Sequence, residues 1–202
     1  MKHLIPFVFF MLSSLGLPVV AQSPVVVELF TSQGCPSCPP ADKLLHELAQ
    51  RDDVIPLALH VDYWDYIGWK DEFSHPDYAK RQRGYAVQAK RRSVYTPQMI
   101  VNGVTDIVGA RRMELSKAIA HHANLPSRVE LSVNRSGSEI LINAQPTKVD
   151  GPLIVRMLRY TPQRSAHITR GENAGHTMLY ANVTENWTVL AEWDGTTALA
   201  LT

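Results

Sequence analysis

The first half of the chain switches repeatedly between continuous apolar runs and segments with apolar residues on one helical face. The apolar runs at 25–30 and 54–61 have the length of buried strands, and residues 41, 44, 45 and 48 between them have the spacing of a helix. Predicted strands lie at 25–30, 54–61, 98–101 and 104–108, and predicted helices at 41–48, 77–92 and 111–122. The order βαβαββα indicates an α/β fold.

A different period begins near Pro126, where apolar and polar residues alternate one by one. Strands are predicted at 129–133, 140–144, 153–160, 177–183, 187–193 and 197–201. Because no helical segment separates these strands, they indicate an appended antiparallel all-β unit. We therefore divide the chain into an α/β domain at 22–125 and a β-rich C-terminal domain at 126–202, which is small enough to pack against the first.

The N-terminal segment at 1–21 has the pattern of a secretory signal peptide. Lys2 gives a basic start, the stretch 4–17 is almost wholly apolar, and small side chains stand at Val19 and Ala21. The apolar run is short for a membrane span, and no cysteine follows directly for a lipid anchor. We expect cleavage after Ala21, no stable membrane anchor, and a periplasmic or secreted mature protein.

The charge balance argues against one large class of partner. The chain has 20 basic and 19 acidic side chains, and loss of Lys2 with the signal peptide makes the two numbers equal. Proteins that bind nucleic acids usually carry a basic excess on the binding domain. We therefore expect no nucleic-acid partner.

Both cysteines of the chain stand in one motif, Cys35-Pro36-Ser37-Cys38, between the first predicted strand and the first predicted helix. At this spacing the two sulfurs can form a disulfide, which an exported protein retains. A helix start also favours a thiolate through its unpaired N–H groups and its dipole. A zinc site is the poorer interpretation, because zinc takes four ligands and there is no second cysteine pair.

The residues of this motif have different expected tasks in thiol–disulfide exchange. We predict that Cys35, nearest the helix start and most exposed, attacks, and that Cys38, one turn inside the helix, is the buried resolving thiol. Pro36 fits the first helical position, where a missing N–H costs nothing. The direction of exchange depends on how strongly the thiolate is stabilised, and the pair Pro36-Ser37 leaves reduction and oxidation both open.

A third part of the predicted site is the dipeptide Thr96-Pro97, directly before the strand at 98–101. Proline restricts the preceding residue to extended backbone. We expect a cis bond between Thr96 and Pro97, because a cis proline is the recurring arrangement opposite a Cys-x-x-Cys helix. The cis form is energetically accessible before proline. The backbone of Thr96 would then pair with an extended substrate beside Cys35.

These segments resemble the thioredoxin superfamily in its shorter, glutaredoxin-like form. The superfamily resemblance rests on residues 28–30, on the cysteine motif at 35–38, and on Thr96-Pro97 ahead of a hairpin. The stretches at 28–35, 60–65, 95–99 and 171–173 more narrowly resemble an uncharacterised exported thioredoxin-like family of Gram-negative bacteria, the domain of unknown function 1223 type. The resemblance implies a thioredoxin-like core at 22–125 with an appended β domain.

The resemblance also implies a role for Glu28. This residue aligns with the buried carboxylate behind the cysteines of thioredoxins, where it would accept the proton of the resolving thiol. The alternative is a partly exposed glutamate at a strand end, with no effect on the cysteines.

The aromatic residues after the second predicted strand have two interpretations. Tyr63 and Trp64 can line a substrate rim beside the cysteines. Alternatively, they can pack between the two domains together with Tyr66 and Trp69, which we favour.

We therefore predict an exported thiol–disulfide oxidoreductase that uses no cofactor and acts on protein thiols or disulfides in the periplasm, with a redox partner protein as a further candidate partner. A second hypothesis is a non-catalytic binding or assembly protein with a stabilising disulfide, although so small a disulfide loop stabilises little. A third is copper delivery, in which His60, His75 and Met99 join the cysteines.

Overall fold

The computed structural model describes residues 23–202. The predicted signal peptide at 1–21 lies outside the described residues. Among the helices of residues 23–202, none combines the length and the apolar character that crossing a membrane requires.

Within the described residues the structure contains three α-helices, one short 3-10 helix at Asp65–Ile67, and nine strands. The strands are β1 Val25–Thr31, β2 Val54–His60, β3 Gln98–Val101, β4 Thr105–Val108, β5 Val129–Ser136, β6 Glu139–Pro146, β7 Leu153–His167, β8 Thr177–Trp193 and β9 Leu199–Leu201. The helices are α1 Pro39–Leu48, α2 Pro76–Gln88 and α3 Arg112–Ala123. The predicted order βαβαββα is present from β1 to α3.

Six strands form one mixed sheet in the order β4-β3-β1-β2-β8-β7, and β5, β6 and β9 form a second, antiparallel sheet. In the large sheet, β1 and β2 are parallel, whereas β3 is antiparallel to both β1 and β4. Strand β8 is parallel to β2 and antiparallel to β7. The fold is therefore a mixed α/β fold with a second, smaller antiparallel sheet.

Strand β1 separates two apolar layers, because successive side chains of a strand point to opposite faces. On one face, Val27 and Leu29 lie in a cluster with residues of α1 and α3. On the other face, Phe30 lies in a cluster with Tyr78 and Ala79 of α2. Helices α1 and α3 thus cover one face of the sheet, and α2 covers the other.

Helix α2 ends earlier than the sequence predicted, at Gln88 instead of residue 92. Lys90 has a positive φ of 55°, and the N–H groups of Lys90 and Arg91 donate to the carbonyls of Val87 and Ala86. This bond pair is a Schellman motif. The position after the helix is usually glycine, so a lysine there gave no stop signal in the sequence.

The C-terminal part differs from the predicted all-β domain at 126–202. Its strands are divided between the two sheets, since β7 and β8 extend the sheet of the first part while β5, β6 and β9 pair among themselves. The side chain of Asn182 in β8 donates from Nδ2 to the carbonyl of Pro56 in β2 at 2.8 Å. Tyr78 in α2 donates from its hydroxyl to the carbonyl of Thr184 at 2.9 Å. Both contacts join the two halves of the chain.

Strand β8 is one element of 17 residues where the sequence predicted two shorter strands. The residues at 184–186 lay between the two predicted strands, but the ladder with β7 continues through them with a register shift. Arg159 pairs with Asn186 and Tyr160 with Thr184, so Glu185 is the extra residue of a bulge. A bulge keeps the strand continuous and lets a charged residue lie outside the ladder.

The contact at Asn182 gives a test of how the C-terminal half is attached. Asn182 is 9% exposed and has a φ of 47°, which is unfavourable for residues other than glycine, asparagine and aspartate. Asn182→Gly should lower the free energy of unfolding by about 1–3 kcal/mol, because the Pro56 carbonyl loses its partner.

Asn182→Ala loses the same hydrogen bond and also strains the backbone, so it should be less stable than Asn182→Gly by about 1 kcal/mol. Denaturant unfolding of the two variants and the wild type measures both effects. Equal stabilities of the alanine and glycine variants would show that the backbone at Asn182 is not left-handed in solution.

Candidate functional site

The cysteine pair forms a disulfide in a tight loop between β1 and α1. Cys35 and Cys38 are bonded, with their Cα atoms 5.4 Å apart. The N–H of Cys35 donates to the carbonyl of Ser32 at 3.1 Å, and the N–H of Cys38 donates to the carbonyl of Cys35 at 3.2 Å. Two successive turns therefore fold the motif back on itself before the helix begins.

Helix α1 begins at Pro39, so the predictions that Pro36 is its first residue and that Cys38 lies one turn inside it are wrong. Cys38 is its N-cap, and the prolines at 39 and 40 occupy its first turn. The carbonyl of Cys38 accepts from the N–H groups of Ala41 and Asp42 at 2.8 and 3.1 Å. Pro36 is an exposed loop residue, not the first helical residue, because two later prolines already fill the positions that need no N–H.

The expected difference in exposure between the cysteines is absent. Cys35 and Cys38 are each 0% exposed, although Pro36 and Ser37 between them are exposed. The prediction that Cys35 is the more exposed of the two cysteines is therefore wrong for the disulfide form. Spacing alone gave no information about the later segments that contact the cysteine loop.

The Thr96–Pro97 bond is cis, as the sequence predicted, and Pro97 is buried. Ser37 lies between this dipeptide and the disulfide, with its Oγ 3.5 Å from the carbonyl oxygen of Thr96 and 3.5 Å from Sγ of Cys35. The indole Nε1 of Trp64 donates to Oγ1 of Thr96 at 2.7 Å. The structure thus brings Thr96, Pro97 and the cysteine loop together.

Glu28 lies on the other face of the sheet from α1. Its carboxylate accepts from Nε and Nη2 of Arg81 at 2.5 and 3.0 Å, and from the hydroxyl of Tyr85. Arg81 and Tyr85 both belong to α2. The role predicted for Glu28 behind the cysteines is therefore corrected: strand alternation turns it away from them, and it anchors α2 to β1.

The buried carboxylate on the cysteine side is Asp42, which the sequence reasoning missed. Asp42 is 3% exposed and accepts from the hydroxyl of Thr31 at 2.8 Å through Oδ1. Its Oδ2 has no hydrogen-bond partner among residues 23–202. Burial raises the pKa of Asp42 to about 7. Its position four residues after Cys38, on the same helical face, was the available signal.

A second buried acid, Asp71, ties the cysteine loop to the end of β2. Its Oδ2 lies 2.7 Å from Nδ1 of His60 and accepts from the N–H of Gln33 at 2.8 Å. Its Oδ1 accepts from the N–H of Phe73 at 2.9 Å. Burial alone would raise the pKa of Asp71, but the nearby His60 and these donors outweigh burial and lower it.

The residues of the copper hypothesis do not converge on the cysteines. The ring of His60 contacts Asp71, the ring of His75 accepts from the N–H of Asp77 at the start of α2, and Met99 lies in the core cluster beside α1. Within residues 23–202, no three side chains of histidine, cysteine, aspartate or glutamate form a cluster suited to a metal ion.

The predicted rim residues Tyr63 and Trp64 are half-buried and pack against the cluster on the α2 side of the sheet. Tyr63 donates to Oε1 of Gln82 at 3.1 Å, so its hydroxyl faces α2. Trp64 contacts Thr96, as described above. Of the other two aromatic residues, Tyr66 is 82% exposed, and Trp69 donates to Oε1 of Gln33 at 2.7 Å.

A turn from the C-terminal half closes over the cysteine loop, which the sequence reasoning did not anticipate. Asn173 is 7% exposed, and its Nδ2 donates to the carbonyls of Gln33 and Cys35 at 2.8 and 3.0 Å. We call the segment after β2 (62–73) and the β7–β8 turn (168–176) together the cap. The stretch at 171–173 was noted in the sequence only as part of the family resemblance.

A groove of about 510 Å³ lies beside the cap, between α1 and the start of β8. Pro39, Asp42 and His46 line it on the helix side, and Asn173 and Met178 line it on the other. The Nε2 atom of His46, like Oδ2 of Asp42, is buried without a hydrogen-bond partner among the described residues. Most of the surface of the groove is apolar, and the two unpaired polar atoms lie on its α1 side.

The raised pKa of Asp42 predicts a pH-dependent stability. Its folded pKa of about 7 lies above the ordinary value of 3.8, so the neutral form is favoured in the fold and stability is lost as the pH rises towards 7. Asp42→Asn should match the wild type below pH ~4 and exceed it by up to about 4 kcal/mol above pH ~7.

Chemical denaturation of the disulfide form between pH 4 and 8 measures this difference. Asp52→Asn is the matched control, because Asp52 is exposed and its variant should follow the wild type at every pH. A constant difference between Asp42→Asn and the wild type across the pH range would contradict the raised pKa.

Comparison with known proteins gives a family and two similar folds. The sequence profile of a family described as "Protein of unknown function (DUF1223)" matches residues 26–202. The crystal structure of protein AGR_C_4864 from Agrobacterium tumefaciens is 32% identical over 89% of this chain and 77% of that chain, with a TM-score of 0.76. HBP35 of Porphyromonas gingivalis is 12% identical over 89% of this chain and 63% of that chain, with a TM-score of 0.59. No curated protein matches the chain.

The profile match spans nearly all of the described residues, and the similarity to the Agrobacterium protein extends over most of both chains. The assignment to the domain of unknown function 1223 type, drawn from four short stretches of sequence, is thereby confirmed. The chain belongs to the DUF1223 family.

Proposed function

We propose that the protein is an exported thiol–disulfide oxidoreductase in which Cys35 and Cys38 exchange disulfides with a substrate. The observation that carries the proposal is the disulfide at the start of α1, with Cys38 as the N-cap and the cis Thr96–Pro97 bond beside the loop. The positive end of the helix dipole lies at the cysteine loop and favours a thiolate there.

The proposed core is thioredoxin-like, with the glutaredoxin-like order βαβαββα. The strand order β4-β3-β1-β2, with β1 and β2 parallel and β3 antiparallel, supports this assignment. The distribution of α1 and α3 on one face and α2 on the other supports it too. Strands β7 and β8 would be an extension of this core at the edge formed by β2.

Cys35 is the proposed attacking residue, for a different reason from its expected exposure. Its loop neighbours Pro36 and Ser37 are exposed, and Oγ of Ser37 lies 3.5 Å from its sulfur. Cys38 lies at the helix start, one turn before the buried Asp42. Because Cys38 lies at the helix start, behind the exposed loop residues, we assign it the resolving role. Thiol–disulfide exchange by a cysteine pair requires one attacking thiol and one resolving thiol.

Asp42 is the proposed proton acceptor for the resolving thiol, in place of Glu28. With a pKa of about 7, its carboxyl group can gain or lose a proton near neutral pH. The free Oδ2 leaves one oxygen available for that proton. The proton of Cys38 would pass to Asp42 as Cys38 attacks the mixed disulfide on Cys35.

Trapping of mixed disulfides tests this assignment. Cys38→Ser removes the resolving thiol, so Cys35 should retain a substrate thiol as a stable mixed disulfide. In Cys35→Ser no such species should accumulate, and the double variant should catalyse no reduction of insulin by dithiothreitol above the uncatalysed rate. Non-reducing electrophoresis and mass spectrometry identify the trapped species.

Trapping only in Cys35→Ser would reverse the two roles. Equal insulin reduction by the wild type and by the double variant would remove the enzyme proposal. Circular dichroism of the three variants serves as the control that the fold is intact.

A non-catalytic protein with a stabilising disulfide is the second candidate function, and the complete burial of both cysteines favours it. The two candidates differ in thiol ionisation. A catalytic pair should contain one thiol with a pKa well below ~8.5, whereas an inert buried pair should not. The ultraviolet absorbance of the thiolate, followed during a pH titration of the reduced protein, should decide between them.

A further inference from the structure

A second groove, of about 440 Å³, lies between α2 and the strands β7 and β8. Its wall is the side of α2 that carries Lys80 and Gly84, and its floor is formed by Arg156 of β7 with Trp187 and Val189 of β8. Trp187 packs against the cluster on the α2 side of the sheet, so the floor lies on the face opposite α1. The volume is in the range of small-molecule sites, and the cysteine motif does not line this groove.

Gly84 lies in the interior of α2, where glycine is unfavourable. Only proline is a poorer helix former, and α2 runs without interruption from Pro76 to Gln88. The backbone of Gly84 is not left-handed, and a Cβ built on it would meet no atom within 4 Å. Neither backbone conformation nor packing therefore requires a glycine at this position. What the missing side chain provides is open space at the wall of the groove.

The floor of the groove is an apolar surface held in place from below. The ring of Trp187 lies edge-to-face against Tyr78 at 5.2 Å between centroids, and the guanidinium carbon of Arg81 lies 5.4 Å from the centroid of the same ring. Val189, two residues further along the same face of β8, is 52% exposed. A flat ring placed between α2 and this floor would contact both residues.

The basic side chains around the groove differ in how they are paired. Arg81 is bound to Glu28 through Nε and Nη2, at 2.5 and 3.0 Å. Lys80 and Arg156 are exposed, and neither forms an ion pair with another of the described residues. Asp77, the acid of the lining, lies in the first turn of α2, about 10 Å of helix before residue 84. Two positive charges therefore remain available for an anionic group.

We propose that the groove between α2 and the strands β7 and β8 binds a small aromatic carboxylate. Its ring lies on Trp187 and Val189, in the space that Gly84 leaves at the helix, and its carboxylate is held by Lys80 and Arg156. This site is separate from the cysteine motif, so the inference does not depend on the proposed exchange activity.

Titration of the disulfide form with cinnamate, followed by NMR, tests the site. Cinnamate joins a flat ring to one carboxylate and should bind in the millimolar range or tighter. The indole N–H signal of Trp187 should shift. The signal of Trp193 should not, because this residue is 6% exposed and its Nε1 donates to the carbonyl of Thr197 at 2.9 Å.

Two further compounds separate the contributions of ring and charge. Cinnamyl alcohol keeps the ring without the charge, and acetate keeps the charge without the ring. Each should bind at least about fivefold more weakly than cinnamate, since one of the two kinds of contact is lost.

Gly84→Leu fills the space at the wall with a side chain that favours the helix. The midpoint of thermal unfolding should rise by about 2–4 °C, while cinnamate should bind at least about tenfold more weakly. A loss of binding in a stabilised variant is not explained by misfolding. Val87→Leu is the control for side-chain size, because Val87 is 75% exposed on the same helix and does not line the groove. Its affinity for cinnamate should equal that of the wild type.

Substitution of the two available cations tests the carboxylate contact. Lys80→Gln and Arg156→Gln should each weaken cinnamate binding by about fivefold and leave cinnamyl alcohol unaffected. Arg83→Gln is the matched control for charge, because Arg83 is an exposed residue of α2 outside the groove. It should bind cinnamate as the wild type does.

Several results would overturn the proposal. One is equal binding of cinnamate by the wild type and by Gly84→Leu, and another is equal binding of cinnamate and cinnamyl alcohol. Equal losses in Arg83→Gln and Arg156→Gln would show attraction by the charge of the whole surface instead of a site. Absence of any shift of the Trp187 signal with cinnamate would also overturn the site, and the proposed exchange at the cysteines would be unaffected.

Discussion

The arrangement of the site depends on the hydrogen bonds of one buried carboxylate, that of Asp71. It accepts hydrogen bonds from the backbone of Gln33 and Phe73 and contacts the ring of His60. These partners belong to the cysteine loop, to the segment after β2 and to β2 itself. A charge in this environment is stable only with such partners, because an unpaired buried charge is strongly unfavourable. One carboxylate therefore fixes three segments relative to each other.

Two carboxylates near the cysteines thus have opposite electrostatic surroundings. Asp71 is surrounded by donors and keeps its charge, whereas Asp42 has one donor, Thr31, and is driven towards the neutral form by burial. Burial acts on both acids, but only at Asp71 do the nearby His60 and the hydrogen-bond donors outweigh it. Sequence composition cannot distinguish the two acids, because the difference lies in contacts between distant segments.

The sequence predicted the features that depend on local pattern. These include the order of β1 to α3 and the disulfide partner of Cys35, which follow from the local pattern and from spacing. The cis bond at Pro97 was expected from the resemblance of Thr96-Pro97 to the corresponding dipeptide of the thioredoxin superfamily. The sequence did not predict the partners of β7 and β8, because a strand's own alternation does not say which other strand it joins. The error at Glu28 has the same origin: its residue type was right for a buried acid, but strand alternation placed it on the opposite face. Asp42 could have been found by extending the helical face one turn past Cys38.

The hydrogen bonds from Asn173 to the cysteine loop bear on the order in which the parts of the site fold. The chain is made from its N-terminus, and 138 residues separate Asn173 from Cys35. The cysteine loop, β1 and α1 therefore exist as a chain long before the turn that covers them has been made. A contact across so long a separation is among the last that a folding chain gains, because it requires the largest loop to close. The cysteines of a newly made chain thus pass through a stage in which they are open to any thiol in their surroundings, and only the finished fold restricts them.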